Sequence, residues 1–269
     1  MQGEAEMNTR MQNEEPGQGS PFSLRGQVAL VTGASAGIGA ALAIALGRAG
    51  ADVACHGNTR AAEATAEAVR RAGREACSLS GDLADARTPE AVIRATLERF
   101  GRIDILINNA GTIRRAPAVD VSIEDWSAVL AVNLTSVFRL SQLAARGMLE
   151  RGRGKIVNVA SLLAFQGGIN VPAYAASKGG VAQLTKALSN EWAARGVNVN
   201  AIAPGYIRTD NTLPLQNDAT RNRQILERIP AGRWGEVEDL AGAVIFLSSR
   251  SSDYVNGQVL AIDGGWLGR

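Results

Sequence analysis

Short, almost wholly apolar runs recur along the chain, separated by longer stretches in which apolar residues return every three or four positions. The runs are Gln27–Thr32, Asp52–His56, Glu75–Leu79, Ile103–Ile107, Lys155–Ala160, Val197–Ala203 and Val259–Asp263. Each is strand-sized and bounded by Gly or polar residues, as strands buried on both faces are. Between them the spacing predicts helices from Gly39 to about Gly50, on to about Ala72, from Ser122, from Pro172 to about Arg195, and from Val237 to Leu247. Pro172 suits a first helical turn, and Ser122 with acids behind it suits an N-cap. Strand–helix alternation throughout predicts an α/β fold: a single-domain, Rossmann-type, doubly wound parallel sheet flanked by helices.

The pattern also says where chemistry should sit. Gly33, His56, Asp82, Asn108, Ser161 and Pro204 follow successive strands, so all fall on the carboxyl edge, where such sheets bind ligands. Gly33-Ala-Ser-Ala-Gly37-Ile-Gly39 joins the first strand to the first helix. Glycines there allow a tight turn and let a phosphate approach the helix N-terminus. The spacing is Gly-x-x-x-Gly-x-Gly, unlike the commoner Gly-x-Gly-x-x-Gly. Asp82 is placed to meet an adenine amino group or to cap a helix. Asn108–Gly111 lets the backbone pass close to a ribose. Asn133 interrupts a helix interior, which calls for a kink or a site role.

Tyr174 and Lys178 are four apart at the start of the Pro172 helix and so share a face; Ser161, at the preceding strand end, can reach the same point. A hydroxyl, a phenol and an ammonium converging there suit proton transfer at a substrate oxygen, with the ammonium favouring the phenolate. The segment from Asp210 to Gly235 carries an amphipathic piece, Arg221–Ile229, and is too long for a plain connection, so a lid around 208–235 is expected.

Composition narrows the partners. The net charge is +2 over 269 residues, with no basic run, which gives no reason to expect nucleic acid. No apolar run reaches the roughly 18 residues of a membrane span, so no membrane partner is expected. Residues 1–21 are polar and Gly/Pro-bearing; a disordered extension before a domain at 22–269, and a cytoplasmic location, are expected. His56 is the only histidine, so neither a histidine-based metal site nor a Ser–His nucleophile is supported and no metal is expected. Cys55 and Cys77 read as reduced thiols in buried strands.

Thr32–Gly39, Asp82, Asn108–Gly111, Asn133, Ser161, Tyr174-x-x-x-Lys178 and Pro204-Gly205 together resemble the short-chain dehydrogenases/reductases, from about residue 22 onward. Thr112–Arg115, Phe165–Ile169, Arg228–Gly235 and Asp263–Leu267 are similar to a subgroup of that family acting on 2-dehydro-3-deoxy-D-gluconate and related sugar acids. The resemblance implies catalytic roles for Asn133, Ser161, Tyr174 and Lys178: Tyr174 the acid/base, Ser161 its partner at the reacting oxygen. Lys178 would hold the nicotinamide ribose, and Asn133 a water linking Lys178 to solvent. It implies cofactor contacts at Gly33, Ser35, Gly37, Ile38, Gly39, His56, Asn58, Asp82, Leu83, Asn109, Ala110, Gly111, Tyr174, Lys178, Pro204, Gly205, Ile207 and Thr209. Substrate contacts are expected from Arg114, Arg115, Ser161, Gln166, Tyr174 and Arg208, since a carboxylate needs cations or donors. Gly57 and Asn58 offer no acid for a ribose 2′-hydroxyl, and Arg60 could meet a 2′-phosphate; the subgroup favours NAD, with NADP the alternative. Gluconate 5-dehydrogenase or uronate reductase are neighbouring activities, and a non-catalytic nucleotide sensor is the rival of another class. A homotetramer is the implied assembly.

Overall fold

The computed structural model describes residues 20–269, so the expected disorder of the N-terminal stretch lies almost entirely outside the described residues. Seven parallel strands form one sheet: β1 (Val28–Val31), β2 (Asp52–Gly57), β3 (Ala76–Ser80), β4 (Ile105–Asn108), β5 (Gly154–Val159), β6 (Val197–Pro204) and β7 (Val259–Ile262). Their order is β3-β2-β1-β4-β5-β6-β7. β1 pairs with β2 on one side and β4 on the other, so the sheet grows outward both ways from the β1/β4 seam. That seam is the topological switch point at which open α/β sheets bind ligands.

The helices are α1 (Gly37–Arg48), α2 (Glu63–Arg71), α3 (Thr88–Phe100), α4 (Ile123–Leu130), α5 (Ser136–Glu150), α6 (Pro172–Trp192), α7 (Leu213–Asn217), α8 (Ala219–Arg228) and α9 (Ala241–Ser248). Successive strand residues point to opposite faces. Ala29 and Val31 therefore join Leu42 and Leu46 of α1, Val69 of α2 and Val244 of α9 in one core layer. Leu30 and Leu106 join Val92 of α3, Leu140 and Met148 of α5, and Leu188 of α6 in the other.

Three details depart from expectation. β4 begins at Ile105 because Asp104 is buried as a bracket, accepting from Val28 N at 3.0 Å and from Arg102 Nη2 at 2.6 Å. Cys77 lies on edge strand β3 and is only half-buried, whereas Cys55 is fully buried; burial pushes both thiols up, Cys55 to about 12. Helices α4 and α5 run on as one 28-residue helix, long and apolar enough by composition to cross a membrane. Here it is a core helix, with Val137, Leu140, Ala144 and Met148 turned inward. Ser122 caps it, its Oγ accepting from Asp125 N at 3.0 Å. At Ala131–Thr135 it widens into a π-turn around the buried Asn133, a form of helix defect that recurs at functional sites.

Candidate active site

The β1/β4 seam is tied by side chains. Thr32 Oγ1 accepts from Asn109 N at 3.1 Å and Ala110 N at 3.0 Å. Asn109 Nδ2 donates to Thr32 O at 2.9 Å and Gly33 O at 3.1 Å. The turn is so close that a Cβ on Gly39 would stand 2.2 Å from Gly33 O. Gly37 opens α1 at a φ of 54°, and Ala36 before it supplies no side-chain cap. The first-turn N–H groups of α1 therefore lack intrahelical partners and suit an anion. Ser35 and Ile38 are half-buried in the same turn. Thr209 stands opposite, its Cγ2 3.6 Å from where a Gly37 Cβ would be. An uncapped, glycine-lined helix start of this kind suits a phosphate group.

Beyond it lies the edge expected to hold an adenosine. Asn58 and Arg60 are exposed, and Arg60 has no carboxylate partner among the described residues. Asp82 is exposed, its Oδ1 accepting from Ala84 N at 2.9 Å, which leaves the other oxygen for a donor. His56 and Leu83 differ. The His56 ring is 1% exposed and Nε2 bonds Gly81 O at 3.0 Å; burial pushes its pKa down. The neutral ring is thus a tie between strand ends, with its buried Nδ1 left without a partner. Leu83 is likewise a core side chain.

α6 delivers the reactive pair. Lys178 Nζ lies 5.6 Å from the centre of the Tyr174 ring. It donates to Val159 O at 2.6 Å, is 4% exposed, and burial lowers its pKa to about 8. Tyr174 is half-buried, and burial raises its pKa; a hydrogen bond with Ser161 and the charge of Arg115 pull it back. The lowering expected from the ammonium is therefore not seen: desolvation of the phenolate is the largest cause, and Ser161 and Arg115, not Lys178, oppose it. Ser161 Oγ also accepts from Leu163 N at 3.2 Å, which fixes it at the mouth of the loop that follows.

Asn133 faces this cluster across Gly111: a Cβ there would be 3.5 Å from Asn133 Oδ1 and 3.8 Å from Lys178 Nζ. Its side chain clamps the loop after β4, accepting from Thr112 N at 2.8 Å and donating to Thr112 O at 2.9 Å and Ser177 Oγ at 3.1 Å. With those bonds the side chain braces the loop against α6; both Nδ2 hydrogens are engaged, while Oδ1 keeps a second lone pair that can accept from a water.

The residues expected around a substrate separate. Arg115 acts on Tyr174, whereas its neighbour Arg114 turns to Asp125 at 3.7 Å. Arg208 is held by Glu236 at 3.1 Å and Gln216 at 2.9 Å. Gln166 Oε1 accepts from Arg228 Nη2 at 3.3 Å and Trp266 Nε1 at 3.2 Å. Ala116 N donates to Asn170 O at 3.0 Å, joining the two loops, and Asn170 holds a left-handed φ of 61°. After β6, Gly205 allows contact with Asp263, whose Cα would be 2.6 Å from a Cβ. Pro204 closes the strand, and Ile207 is buried, its backbone bridging Gly235. Helices α7 and α8 follow in the chain. Ile225 and Ile229 pack with Leu162, Trp234 and Trp266, and Tyr206 stacks on both tryptophans. Arg228 and Trp266 were not among the residues expected at the site. A tryptophan in a chain with 4% aromatics was the one available signal.

A parallel sheet with an uncapped, glycine-lined helix start at its switch point, and a Ser–Tyr–Lys cluster beside it, defines a dinucleotide-binding oxidoreductase. The family described as enoyl-(acyl carrier protein) reductase matches residues 33–267. The chain belongs to the short-chain dehydrogenases/reductases. It is 55% identical over 250 residues to a 2-dehydro-3-deoxy-D-gluconate 5-dehydrogenase of Bacillus subtilis (strain 168), covering 92% of this chain and 97% of that one. A crystal structure from Agrobacterium tumefaciens with bound NADP is 54% identical, covering 93% of this chain and 100% of that one, with a TM-score of 0.86. A gluconate 5-dehydrogenase from Burkholderia cenocepacia J2315, in complex with NADP and tartrate, is 41% identical with a TM-score of 0.87, covering 93% and 98%.

Proposed function

We propose that the chain is an NAD(P)-dependent oxidoreductase interconverting a hydroxyl and a ketone at C5 of 2-dehydro-3-deoxy-D-gluconate. The observation that carries the chemistry is the contact of Tyr174 with Ser161 one helical turn from the buried Lys178. When bound, the nicotinamide supplies or accepts the hydride. In reduction the Tyr174 hydroxyl gives its proton to the substrate oxygen while Ser161 Oγ bonds the same oxygen. A phenol with a raised pKa is protonated at neutral pH and ready as the acid. Lys178 is buried beside Gly111, where it would meet a ribose hydroxyl. Gly33–Gly39 and Thr209 hold the pyrophosphate, and Asn109–Gly111 the nicotinamide side.

The identity to the Bacillus relative supports the substrate, and so does the donor-rich rim of Arg115 and Gln166. Gluconate 5-dehydrogenase activity is the second reading, supported by the Burkholderia neighbour. The bare β2 edge and exposed Arg60 support acceptance of NADP beside NAD. A homotetramer is supported by edge strand β7, where Leu260 is 40% exposed, and by the fully exposed Tyr254. Analogy with relatives named as sugar-acid dehydrogenases supports a cytoplasmic location. A cofactor-coupled screen of hexulosonates and aldonates tests the reading. Turnover highest with 2-dehydro-3-deoxy-D-gluconate is expected, and a Tyr174→Phe variant should bind cofactor without turnover. Survival of turnover in that variant would sink the catalytic assignment.

A further inference from the structure

Gln166 lies five residues beyond Ser161, in the loop between β5 and α6. Both partners of its oxygen, the Arg228 guanidinium and the Trp266 indole N–H, are groups that only donate. The amide therefore has one orientation, with its oxygen toward those two and its NH2 directed away as a pair of donors. Arg228 is fixed a second time: its Cζ lies 4.1 Å from the centre of the Trp266 ring. Trp266 is 5% exposed, so the platform is rigid, while Arg228 itself is exposed. Around it, Arg208, Arg223 and Arg233 are each paired with a carboxylate, at Glu236, Glu227 and Asp239. Arg228 has no such partner among the described residues.

A preorganised, unneutralised guanidinium beside an amide that offers N–H groups is a receptor for a carboxylate. Gln166 ties this guanidinium to the loop that leaves Ser161, which makes the pair a candidate for the far end of the proposed substrate. In a 2-dehydro-3-deoxyhexonate the reacting C5 is separated from the carboxylate carbon by about 5 Å of extended chain, from bonds of ~1.5 Å. Of the cations expected from the sequence, Arg208 is already paired with Glu236 and Arg114 with Asp125, while Arg115 lies on the loop after β4.

We propose that Arg228 and Gln166 form the carboxylate subsite and set specificity for acids over neutral ketoses, with Trp266 as a positioning residue. This rests on the sugar-acid reading above. The subsite is assembled from the loop after β5, the end of α8 and the segment after β7. Acid recognition is thereby coupled to the seating of α8.

The test compares 2-dehydro-3-deoxy-D-gluconate with its C1 amide as substrates of the full-length enzyme at saturating cofactor. The wild type should favour the acid in kcat/KM. If it does not, the sugar-acid reading falls before any variant is made. Arg228→Met keeps bulk on the Trp266 ring and should raise KM for the acid roughly 10- to 100-fold. The amide's KM, cofactor affinity and kcat should be nearly unchanged. Arg228→Lys should recover part of the loss, for the acid only. Gln166→Glu, which places a carboxylate against the guanidinium, should also abolish the preference for the acid. Equal losses for acid and amide, or a loss that follows thermal stability, would mean that Arg228 only ties α8 down and would overturn the proposal. An unchanged KM for the acid in Arg228→Met would overturn it as well.

Discussion

Lys178 Nζ is bonded to Val159 O at 2.6 Å and stands 5.6 Å from the centre of the Tyr174 ring, so the ammonium is anchored to a strand end before it serves the phenol. An almost wholly buried lysine held by one carbonyl keeps its position but loses hydration. This arrangement makes both of its consequences, electrostatic and structural, measurable.

The first is a pH dependence of stability. Burial lowers the Lys178 pKa from 10.5 to about 8. Between those values the unfolded chain keeps the proton that the folded chain releases, so unfolding free energy rises with pH across that window. Below it, the buried charge opposes folding by something on the order of 3 kcal/mol. Lys178→Met should lose turnover, lack this rise in urea titrations between pH 8 and 10.5, and be no less stable than wild type at pH 7. A parallel rise in the variant would assign the effect elsewhere.

Arg115 and Arg114 are neighbours in sequence with different predicted effects. The Tyr174 pKa is raised by burial and drawn down by Ser161 and Arg115. Removing the charge in Arg115→Gln should push the phenol higher still. Substrate oxidation, which needs the phenolate, should then have its pH–rate limb displaced to higher pH. Arg114→Gln, whose side chain faces Asp125, should leave the limb in place. Equal displacement by both would contradict the geometry.

At the phosphate turn, two glycines should fail differently. A Cβ at Gly39 would overlap Gly33 O, so Gly39→Ala should yield little folded protein. A Cβ at Gly37 would make only ordinary contact with Thr209, but φ is 54°, so Gly37→Ala should fold with a loss of about 1 kcal/mol. Its penalty should fall mainly on cofactor Kd, measured by fluorescence titration.

Cofactor choice turns on the end of β2. Arg60→Ala should weaken NADPH by roughly tenfold, the loss of one charge-assisted contact, and leave NADH unchanged. Equal effects on both would remove Arg60 from the 2′-phosphate.

Asn133 is a brace with three hydrogen bonds. Asn133→Ala leaves Thr112 and Ser177 groups without their partner and should destabilise by about 3 kcal/mol. Hydrogen exchange at Thr112 should rise with it. A loss of activity without either change would return Asn133 to a role in proton transfer.

What the sequence made legible was local. Strand and helix periods, the Gly33–Gly39 turn, and the Tyr174–Lys178 spacing depend on residues a few positions apart, and periodicity reports them. Arg115 and Arg114 could not be told apart, because their division depends on where Asp125 lies after the chain turns. Arg228 and Trp266 escaped notice for the same reason. They meet Gln166 across 62 and 100 residues of chain, so their segments could be singled out by resemblance but their meeting could not. His56 was misleading in the opposite sense: its place at a strand end suggested the cleft, while burial turned the ring toward Gly81.

The sheet order carries a kinetic consequence. β1 can find β2 early, since Ala29 pairs with Val53, but its other edge must wait for Ile105. Pairing so distant in the chain is slow because a long loop must close first. Until then β1 exposes an unpaired apolar edge that invites association with other chains. The contact that seals it, Thr32 with Asn109 and Ala110, is also part of the dinucleotide floor. Nicotinamide dinucleotide present during refolding should therefore bind the closed sheet preferentially and raise the yield of native protein by mass action.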